Sequence, residues 1–339
     1  MAVDLFLLCG FLGSGKTTLL VDYLRDPASR DTGVIVNEAG EIGVDGAIVA
    51  NDSDNVPMTL MANGCVCCSL RSDLVYTLSA LLDAPRPEGA GPLQRVVLEC
   101  SGLSRPGPII ASLADPELAS RGLRLTVVCT DDCARDPDAL AEMDEAMAQF
   151  GAAHRIVLTK TDLLPASLLH ARAERAAALN PLALVIADPD RRQAVQAAFA
   201  PSQGVADLAG LAARMLIAGG AGGGAGGGAI KNAARTAAHP RIRVMAARAR
   251  EGISWTDFSE WLDNLAGLCG ERLLRVKAVV RVTECAEPIL IQSVGTTFSA
   301  PQRLTRQPDA RDAIIVIARD IDVDDIRASA PDAPVEMLA

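Results

Sequence analysis

The sequence predicts an α/β fold with a mostly parallel sheet flanked by helices, followed by a small α+β domain. Apolar segments of strand type alternate with helical patterns up to about residue 217, which favours a parallel sheet covered by helices on both faces. The predicted strands are Val3–Leu8, Gly33–Val36, Pro57–Met61, Arg95–Glu99, Arg124–Cys129, Arg155–Thr159 and Leu182–Ile186. The predicted helices include Thr17–Leu24, Ser69–Leu82, Asp138–Phe150 and Ala166–Leu179. Ligands of such folds bind beyond the carboxyl ends of the strands.

A stretch rich in glycine and alanine separates the two predicted domains. Residues 1–217 form the first domain, 218–238 the linker and 239–335 the second domain. The twelve residues 218–229 are typical of a flexible tether, about 20 Å in root-mean-square span. A structured phosphate-binding loop is the alternative, but no strand pattern flanks the stretch. The second domain is predicted from the strands Ile242–Ala246, Arg272–Val282, Pro288–Val294 and Ala313–Ile317 and from the helices Ser254–Leu268 and Val323–Ala328.

Composition excludes several classes of function. The net charge of −10 and the pI near 4.9 argue against a general nucleic-acid binder, which would present a basic surface. We expect no membrane span, because no apolar run of 18 residues occurs, and no signal peptide, because no basic segment precedes Leu5–Leu8. A cytoplasmic protein is therefore expected. Its nine cysteines then point to metal or redox chemistry rather than to disulfides.

The segment Gly10–Thr17 matches the phosphate-binding loop pattern G-x-x-x-x-G-K-[ST] and lies between a predicted strand and a predicted helix. Its glycines allow successive amides to surround phosphate oxygens at a helix N-terminus. Lys16 would reach the β- and γ-phosphates, and the Thr17 hydroxyl would bind Mg²⁺. The alternative is a glycine-rich turn with an incidental lysine. The predicted nucleotide-binding residues here are Gly10, Gly13, Ser14, Gly15, Lys16, Thr17 and Thr18.

A second motif predicts that the nucleotide is GTP rather than ATP. Thr159, Lys160 and Asp162 fit the pattern [NT]-K-x-D directly after a predicted strand. A carboxylate can accept two hydrogen bonds from guanine N1–H and N2–H₂, which adenine does not offer. The lysine stem can pack over the base. A plain strand end before a helix is the alternative.

Acidic residues follow two other strands. Glu99 ends a predicted strand, where a phosphate-loop protein places the carboxylate that faces Mg²⁺. Gly102 could then present its amide to the γ-phosphate, so 101–106 is a candidate switch loop. The alternative for Glu99 is a buried carboxylate that caps the next helix. The segment 37–45 is a second acidic loop, which could supply a metal ligand or orient water, or be a solvated turn.

Three thiols within four residues, Cys65, Cys67 and Cys68, suit Zn²⁺ or another soft or borderline divalent cation. Glu38, Glu41 or water could complete the ligand set, because no histidine clusters with the cysteines. The alternative is a group of small buried cysteines. That alternative suits Cys9, Cys129, Cys269 and Cys285, and leaves Cys100 and Cys133 unassigned.

In chain order these segments resemble the CobW family of GTPases, related to the nickel-inserting hydrogenase and urease accessory GTPases. The resemblance rests on 10–20, Asn37–Glu41, Asn63–Cys68, Glu99–Gly102 and Thr159–Asp162, with 273–277 resembling the opening of the family's C-terminal domain. It implies slow GTP hydrolysis, with Lys16, Thr17 and Glu99 as catalytic residues, coupled to transfer of Zn²⁺, Co²⁺ or another divalent ion to a client metalloprotein. Ala39, Ala278 and the lack of a histidine-rich segment depart from the family pattern.

Two other functions stay open at this point. A metal-responsive regulatory module would bind GTP without cycling, and a small-molecule kinase would prefer ATP. No residue is assigned to position water, and Arg71 and Arg105 are the arginines near enough in sequence to act as an arginine finger. The sequence leaves open whether the chain forms a homo-oligomer.

Overall fold

A computed structural model describes most of the chain. The described residues are 3–36, 58–60, 70–86, 91–201, 241–305, 307 and 309–338. Among them, the chain divides into two compact units, 1–173 with 183–203 and 174–182 with 204–339. The predicted linker 218–238 and both of its boundaries lie outside the described residues, so the predicted domain limits stay predictions. Within the described ranges, no helix has the length and apolarity needed to cross a bilayer.

The first unit contains a seven-stranded sheet in the order β3-β2-β4-β1-β5-β6-β7, with every pairing parallel. The strands are β1 (Asp4–Gly10), β2 (Thr32–Val36), β3 (Met58–Leu60), β4 (Arg95–Glu99), β5 (Arg124–Asp132), β6 (Arg155–Thr159) and β7 (Leu184–Ile186). All seven residues of β1, at the centre of the sheet, are buried. A strand covered on both faces reads as a continuous apolar run, which is why it was recognisable in the sequence.

Eight helices occur among the described residues of this part of the chain. They are α1 (Lys16–Arg25), α2 (Leu70–Asp83), α3 (Pro106–Leu113), α4 (Pro116–Ala119), α5 (Pro137–Ala141), α6 (Asp144–Ala152), α7 (Ala166–Leu179) and α8 (Arg191–Ala198). On one face of the sheet, α1 and α8 enclose an apolar core in which Tyr23 stacks on Phe199 with ring centroids 4.2 Å apart. The fold class predicted for this domain is confirmed.

The prediction of one helix over Asp138–Phe150 is wrong. The chain forms two helices there, because Met143 adopts an extended backbone (φ −90°, ψ 115°) that ends the helical hydrogen bonding. A new helix then begins with Asp144 and Glu145 in its first turn, where acidic side chains interact favourably with the helix dipole. The break sets the direction of α6, which approaches the loop after β4.

Strand β5 is three residues longer than predicted. Thr130, Asp131 and Asp132 are all buried, although polar residues normally mark the end of an apolar strand. Their side chains bond to Ser14, Arg172 and Lys160 respectively, so burial leaves each of them with a partner. The extension brings the carboxylates of Asp131 and Asp132 to the carboxyl-terminal edge of the sheet. Open parallel sheets bind their ligands at this edge.

The second unit is built on a sheet in the order β11-β10-β9-β13-β8-β14, with β12 paired to β10. Its strands are β8 (Ile242–Ala249), β9 (Leu273–Val280), β10 (Ile289–Val294), β11 (Thr297–Phe298), β12 (Gln302–Arg303), β13 (Ala313–Arg319) and β14 (Val335–Met337). These pairings are antiparallel, and the helices α9 (Trp255–Cys269) and α10 (Val323–Ser329) share one apolar core with the sheet. The predicted α+β class is confirmed, whereas β11, β12 and β14 were not predicted.

Candidate functional site

The phosphate-loop segment joins β1 to α1 and depends on glycine at three positions. Gly10, Gly13 and Gly15 have φ values of 144°, 71° and 88°. Such values are costly for residues with a Cβ atom. A Cβ at Gly10 would also overlap the Thr130 hydroxyl. The loop therefore needs these glycines for both its backbone conformation and its close packing against β5.

Gly15 is the N-cap of α1, and no side chain caps that end of the helix. The first N–H groups of a helix have no partner within it, so this end is suited to an anion. Lys16 is buried, and its Nζ donates to the Gly10 carbonyl at 3.0 Å and lies 3.5 Å from the Phe11 carbonyl. The ammonium group is thus held against the loop that the sequence predicts to bind phosphate.

The phosphate loop is fixed by two threonines from neighbouring strands. The Ser14 and Thr130 hydroxyls are 2.6 Å apart, and the Thr159 hydroxyl donates to the Ser14 carbonyl at 2.8 Å. Thr130 ends the apolar part of β5, and Thr159 opens the predicted guanine motif at the end of β6. The structure therefore brings the first residue of the guanine motif into contact with the phosphate loop.

Thr17 and Glu99 are also brought together. The Thr17 hydroxyl donates to Glu99 Oε1 at 2.7 Å, and Glu99 is buried at the end of β4. A hydroxyl beside a carboxylate offers the hard oxygen donors that Mg²⁺ prefers, usually with several water ligands retained. The donor set at this position fits a magnesium ion bound with a nucleotide.

The loop after Glu99 packs directly on the phosphate loop. A Cβ added to Gly102 would lie 2.6 Å from the Leu12 amide nitrogen, so only glycine allows this approach. Gln149 of α6 donates to the Gly102 carbonyl at 3.1 Å and to the Ser104 carbonyl at 2.9 Å. Arg105, one of the two predicted arginine-finger candidates, pairs with Glu145 at 3.1 Å. The side chain of the other, Arg71, lies outside the described residues.

Lys160 adopts a left-handed backbone conformation (φ 54°), and its ammonium pairs with Asp132 at 2.7 Å. Asp162 follows in a short 3₁₀ turn and is exposed, as a residue that reads an incoming base should be. The structure thus presents Lys160 and Asp162 at the same edge of the sheet as Glu99 and the phosphate loop. Asp132, which the sequence reasoning missed, orients the lysine.

A buried ion pair between Asp131 of β5 and Arg172 of α7 stabilises this edge of the sheet. Arg172 forms a bidentate pair with Asp131, and both side chains are less than a tenth exposed. Burial, the largest single effect, lowers the pKa of the Arg172 guanidinium, but the hydrogen bonds with Asp131 and the negative charges of Asp131 and Asp132 together outweigh it, and the pKa is raised. Arg172 also donates to the Arg135 carbonyl, and Arg135 in turn donates to the Leu12 carbonyl at 2.9 Å and lies over the Phe11 ring. No sequence pattern indicated Arg135 or Arg172.

Three of the buried cysteines in the first unit have raised pKa values. A hydrogen bond with Cys129 and burial raise the pKa of Cys9 well above its usual value, and burial raises the pKa of Cys100 in the same way. Burial also raises the pKa of Cys133 to about 11. Buried thiols with raised pKa values are less reactive than exposed cysteines.

The predicted cargo-metal residues Cys65, Cys67, Cys68, Glu38 and Glu41 all lie outside the described residues. Within the described ranges, no group of three or more His, Cys, Asp or Glu side chains is placed to hold a metal ion.

A parallel sheet, a glycine-rich loop after its first strand and a Thr–Glu pair beside that loop define a P-loop nucleotide-binding protein. Comparison with protein families gives the same class. The family model described as CobW/HypB/UreG, nucleotide-binding domain, matches residues 4–187, and the cobalamin synthesis protein cobW C-terminal domain matches residues 242–331. The chain belongs to the CobW/HypB/UreG family.

Several characterised proteins are similar to this chain. The zinc chaperone YjiA of Escherichia coli is 38% identical over 178 residues, which are 52% of this chain and 55% of YjiA. The zinc chaperone CobW of a Sinorhizobium species is 33% identical over 192 residues, 48% of this chain and 52% of that protein. The zinc-regulated GTPase metalloprotein activator 1 of Schizosaccharomyces pombe is 26% identical over 190 residues, 54% of this chain and 45% of that protein. The chain thus spans about half the length of the curated relatives it matches.

One solved structure shares the fold over nearly the full length. The crystal structure of Zn(II)-bound YjiA GTPase from E. coli superposes with a TM-score of 0.63 at 22% sequence identity. The match covers 98% of this chain and 99% of that chain. At this identity the likeness supports the fold.

Proposed function

We propose that this protein binds and slowly hydrolyses GTP, and that the nucleotide cycle controls the binding of a divalent metal ion and its transfer to a client metalloprotein. The observation that carries the proposal is the convergence of the phosphate loop, Glu99 and the guanine motif at one edge of the sheet. The hydrogen bond from Thr159 to Ser14 joins two of these features. The names of the relatives, zinc chaperones and a metalloprotein activator, support the metal-related part.

The phosphate loop supplies electrostatic stabilisation. Lys16, held against the loop carbonyls, and the loop amides would stabilise the charge that develops as the γ-phosphoryl group is transferred. Thr17 would bind Mg²⁺, with Glu99 beside it. The ion neutralises phosphate charge when it is bound.

Guanine selection is assigned to the end of β6. Asp162 is exposed and free to accept hydrogen bonds from a base, and the stem of Lys160, oriented by Asp132, would pack over the base plane. This set of residues favours GTP and argues against a kinase that uses ATP.

Slow turnover is expected from the residues of the loop 101–106. The segment Ser101–Pro106 contains neither glutamine nor histidine, the side chains that most readily orient an attacking water. Arg105 is held by Glu145. We therefore propose that a partner, such as the client, completes the site and accelerates hydrolysis.

The cargo site is assigned to Cys65, Cys67 and Cys68, with Glu38, Glu41 or water completing the set. Zn²⁺ is the first candidate because thiolates suit it and because relatives are zinc chaperones; Co²⁺ is the second. The segments that carry these ligands follow β2 and β3 in the chain; in the sheet β3 pairs with β2, and β2 pairs with β4, the strand that ends at Glu99. A change at the γ-phosphate could reach them through these neighbouring strands.

The test is the substitution Cys67→Ser, with Cys285→Ser as its matched control. Cys285 is partly buried in the second unit and bonds to Glu287. We expect Cys67→Ser to lower the stoichiometry and affinity of Zn²⁺ in an equilibrium competition assay, while GTP affinity stays within about twofold. The control Cys285→Ser should bind Zn²⁺ and GTP with the affinities of the wild type. Unchanged Zn²⁺ affinity in Cys67→Ser would refute the cargo site.

A regulatory module that binds GTP without turnover is separated from a chaperone by a second measurement. Multiple-turnover GTP hydrolysis is followed with and without Zn²⁺ or Co²⁺. A cycling chaperone should turn over repeatedly, with a rate that depends on the metal. A single turnover, unaffected by metal, would favour the regulatory function.

A further inference from the structure

We propose that Gln149 is a positioning residue for GTP hydrolysis, which holds the loop 101–105 against the phosphate loop in the arrangement needed for phosphoryl transfer. The inference rests on the proposed GTPase function and adds to it a residue 47 positions beyond Gly102 in the chain. Gln149 would touch neither nucleotide nor water. It would act through the backbone of the loop.

The Gln149 amide has one orientation that fits its neighbours. Both contacts of Nε2 are backbone carbonyls, Gly102 at 3.1 Å and Ser104 at 2.9 Å, which only accept hydrogen bonds. The nitrogen must therefore face the loop, and its two N–H groups match the two carbonyls. Because a peptide group is planar, fixing the Gly102 carbonyl also fixes the direction of the following amide, that of Leu103.

The burial of Gln149 indicates that its role is to make these two hydrogen bonds to the loop. The side chain is fully buried, and among the described residues its Oε1 accepts no hydrogen bond. A buried amide oxygen without a donor is unfavourable, and an apolar side chain of similar size would avoid it. The cost is offset only through the N–H groups that hold the loop.

Helix α6 holds the loop at a second point. Glu145 lies four residues before Gln149 on the same face of the helix and pairs with Arg105, the last residue of the loop. The helix thus bonds to positions 102, 104 and 105, whereas Leu103 between them is half exposed. Such a loop is anchored at its base and accessible at its tip.

The anchored loop is in contact with the phosphate loop. Gly102 approaches the Leu12 backbone so closely that a Cβ would not fit, and Glu99 begins the same connection. A shift of α6 would therefore be transmitted through Gln149 to Gly102 and on to Leu12. This path makes α6 the element through which a bound partner could change the rate of hydrolysis.

The test is Gln149→Met, which keeps the length of the side chain and removes both donors. We expect kcat for GTP hydrolysis to fall about tenfold because the loop is no longer held in place, a change of about 1.4 kcal/mol in the activation free energy. KM for GTP and the Kd for GDP should stay within about twofold. Gln196→Met is the control, because Gln196 donates to Asp26 on the exposed side of α8, away from the loop.

Gln149→Glu gives a second readout that a purely structural role would not affect. An ionised carboxylate would repel the two carbonyls, whereas the protonated form could donate one hydrogen bond. Burial raises the pKa of such a carboxyl group. The kcat of Gln149→Glu relative to wild type should therefore rise as the pH falls from 8 to 6.

The outcomes are distinguishable. Wild-type kcat for Gln149→Met would overturn the inference, as would a pH-independent ratio for Gln149→Glu; the second result decides if Gln149→Met fails to fold. Absence of GTP hydrolysis by the wild type would refute the proposed function itself.

Discussion

The Thr159 hydroxyl donates to the Ser14 carbonyl at 2.8 Å, across 145 residues of sequence. This bond joins the guanine motif to the phosphate loop. The segment that would bind the base and the segment that would bind the phosphates are therefore held in a fixed relative position. Gly15 lies beside the same threonine, since a Cβ added at Gly15 would be 3.6 Å from the Thr159 methyl carbon. Pre-organisation of this kind lowers the entropic cost of ordering the site when the nucleotide binds.

Replacing this hydroxyl should weaken nucleotide binding. Thr159→Val leaves the Ser14 carbonyl without its donor, at a cost of about 1–3 kcal/mol. We expect a lower melting temperature and GDP and GTP affinities that fall by similar factors, measured by titration calorimetry. Thr159→Ser keeps the hydroxyl and should retain most of the affinity. A larger loss in Thr159→Ser than in Thr159→Val would show that the methyl group, and not the bond, matters.

Substitution of Asp162 should change the base that is preferred. Asp162→Asn loses the carboxylate that accepts from guanine N1–H and N2–H₂, and its amide can instead donate to the C2 carbonyl of xanthine. Charge-assisted hydrogen bonds contribute about 1.5–3 kcal/mol, so GTP affinity should fall roughly 10–100-fold while XTP affinity rises. The exposed residue Asp263 of α9 gives the control Asp263→Asn. An unchanged GTP-to-XTP affinity ratio would remove Asp162 from the base site.

The ion pair between Asp131 and Arg172 should be important for stability. Removing one partner of a buried pair leaves an uncompensated charge, at a cost of about 3–5 kcal/mol. Asp131→Ala should therefore lower the melting temperature by about 10 °C. The exposed pair of Arg121 and Asp83 is the control, and Asp83→Ala should leave the melting temperature nearly unchanged. Similar effects of the two substitutions would contradict the importance given to burial.

Stability should depend on pH because of Lys277, a buried lysine in β9 of the second sheet. Burial, and then the charge of Arg275, lower the pKa of Lys277 to about 8. In the unfolded chain the pKa of lysine is about 10.4, so the folded state loses its proton first. Stability should be lowest below pH 8 and rise as the pH increases from about 8 to 10.

Lys277→Met should remove this contribution. The variant should be more stable than the wild type at pH 7, and its melting temperature should lose the rise between pH 8 and 10 that Lys277 contributes. Lys277→Arg keeps the charge at every pH and should be the less stable of the two. If the melting temperature of Lys277→Met rose between pH 8 and 10 as much as that of the wild type, the pH dependence of stability would come from other groups.

The parts of the site that could be predicted were those encoded locally. The phosphate loop depends on the backbone conformations of Gly10–Gly15, and the strand ends that carry Glu99 and Asp162 depend on short apolar runs, so a few adjacent residues specify each. Gln149 and Arg172 could not be predicted, because their partners are 47 and 41 residues away and become neighbours only in the folded sheet. The break at Met143 could not be predicted either, because the helical periodicity continues through it.

The central claim is that the nucleotide controls the metal. The most direct measurement is the Zn²⁺ affinity of the wild-type protein in its GTP-bound state, with a non-hydrolysable analogue, and in its GDP-bound state, by competition with a chelator. The account predicts affinities that differ by at least about fivefold, and, because coupling is reciprocal, an equal effect of Zn²⁺ on the ratio of the two nucleotide affinities. Equal Zn²⁺ affinities in both states would contradict it.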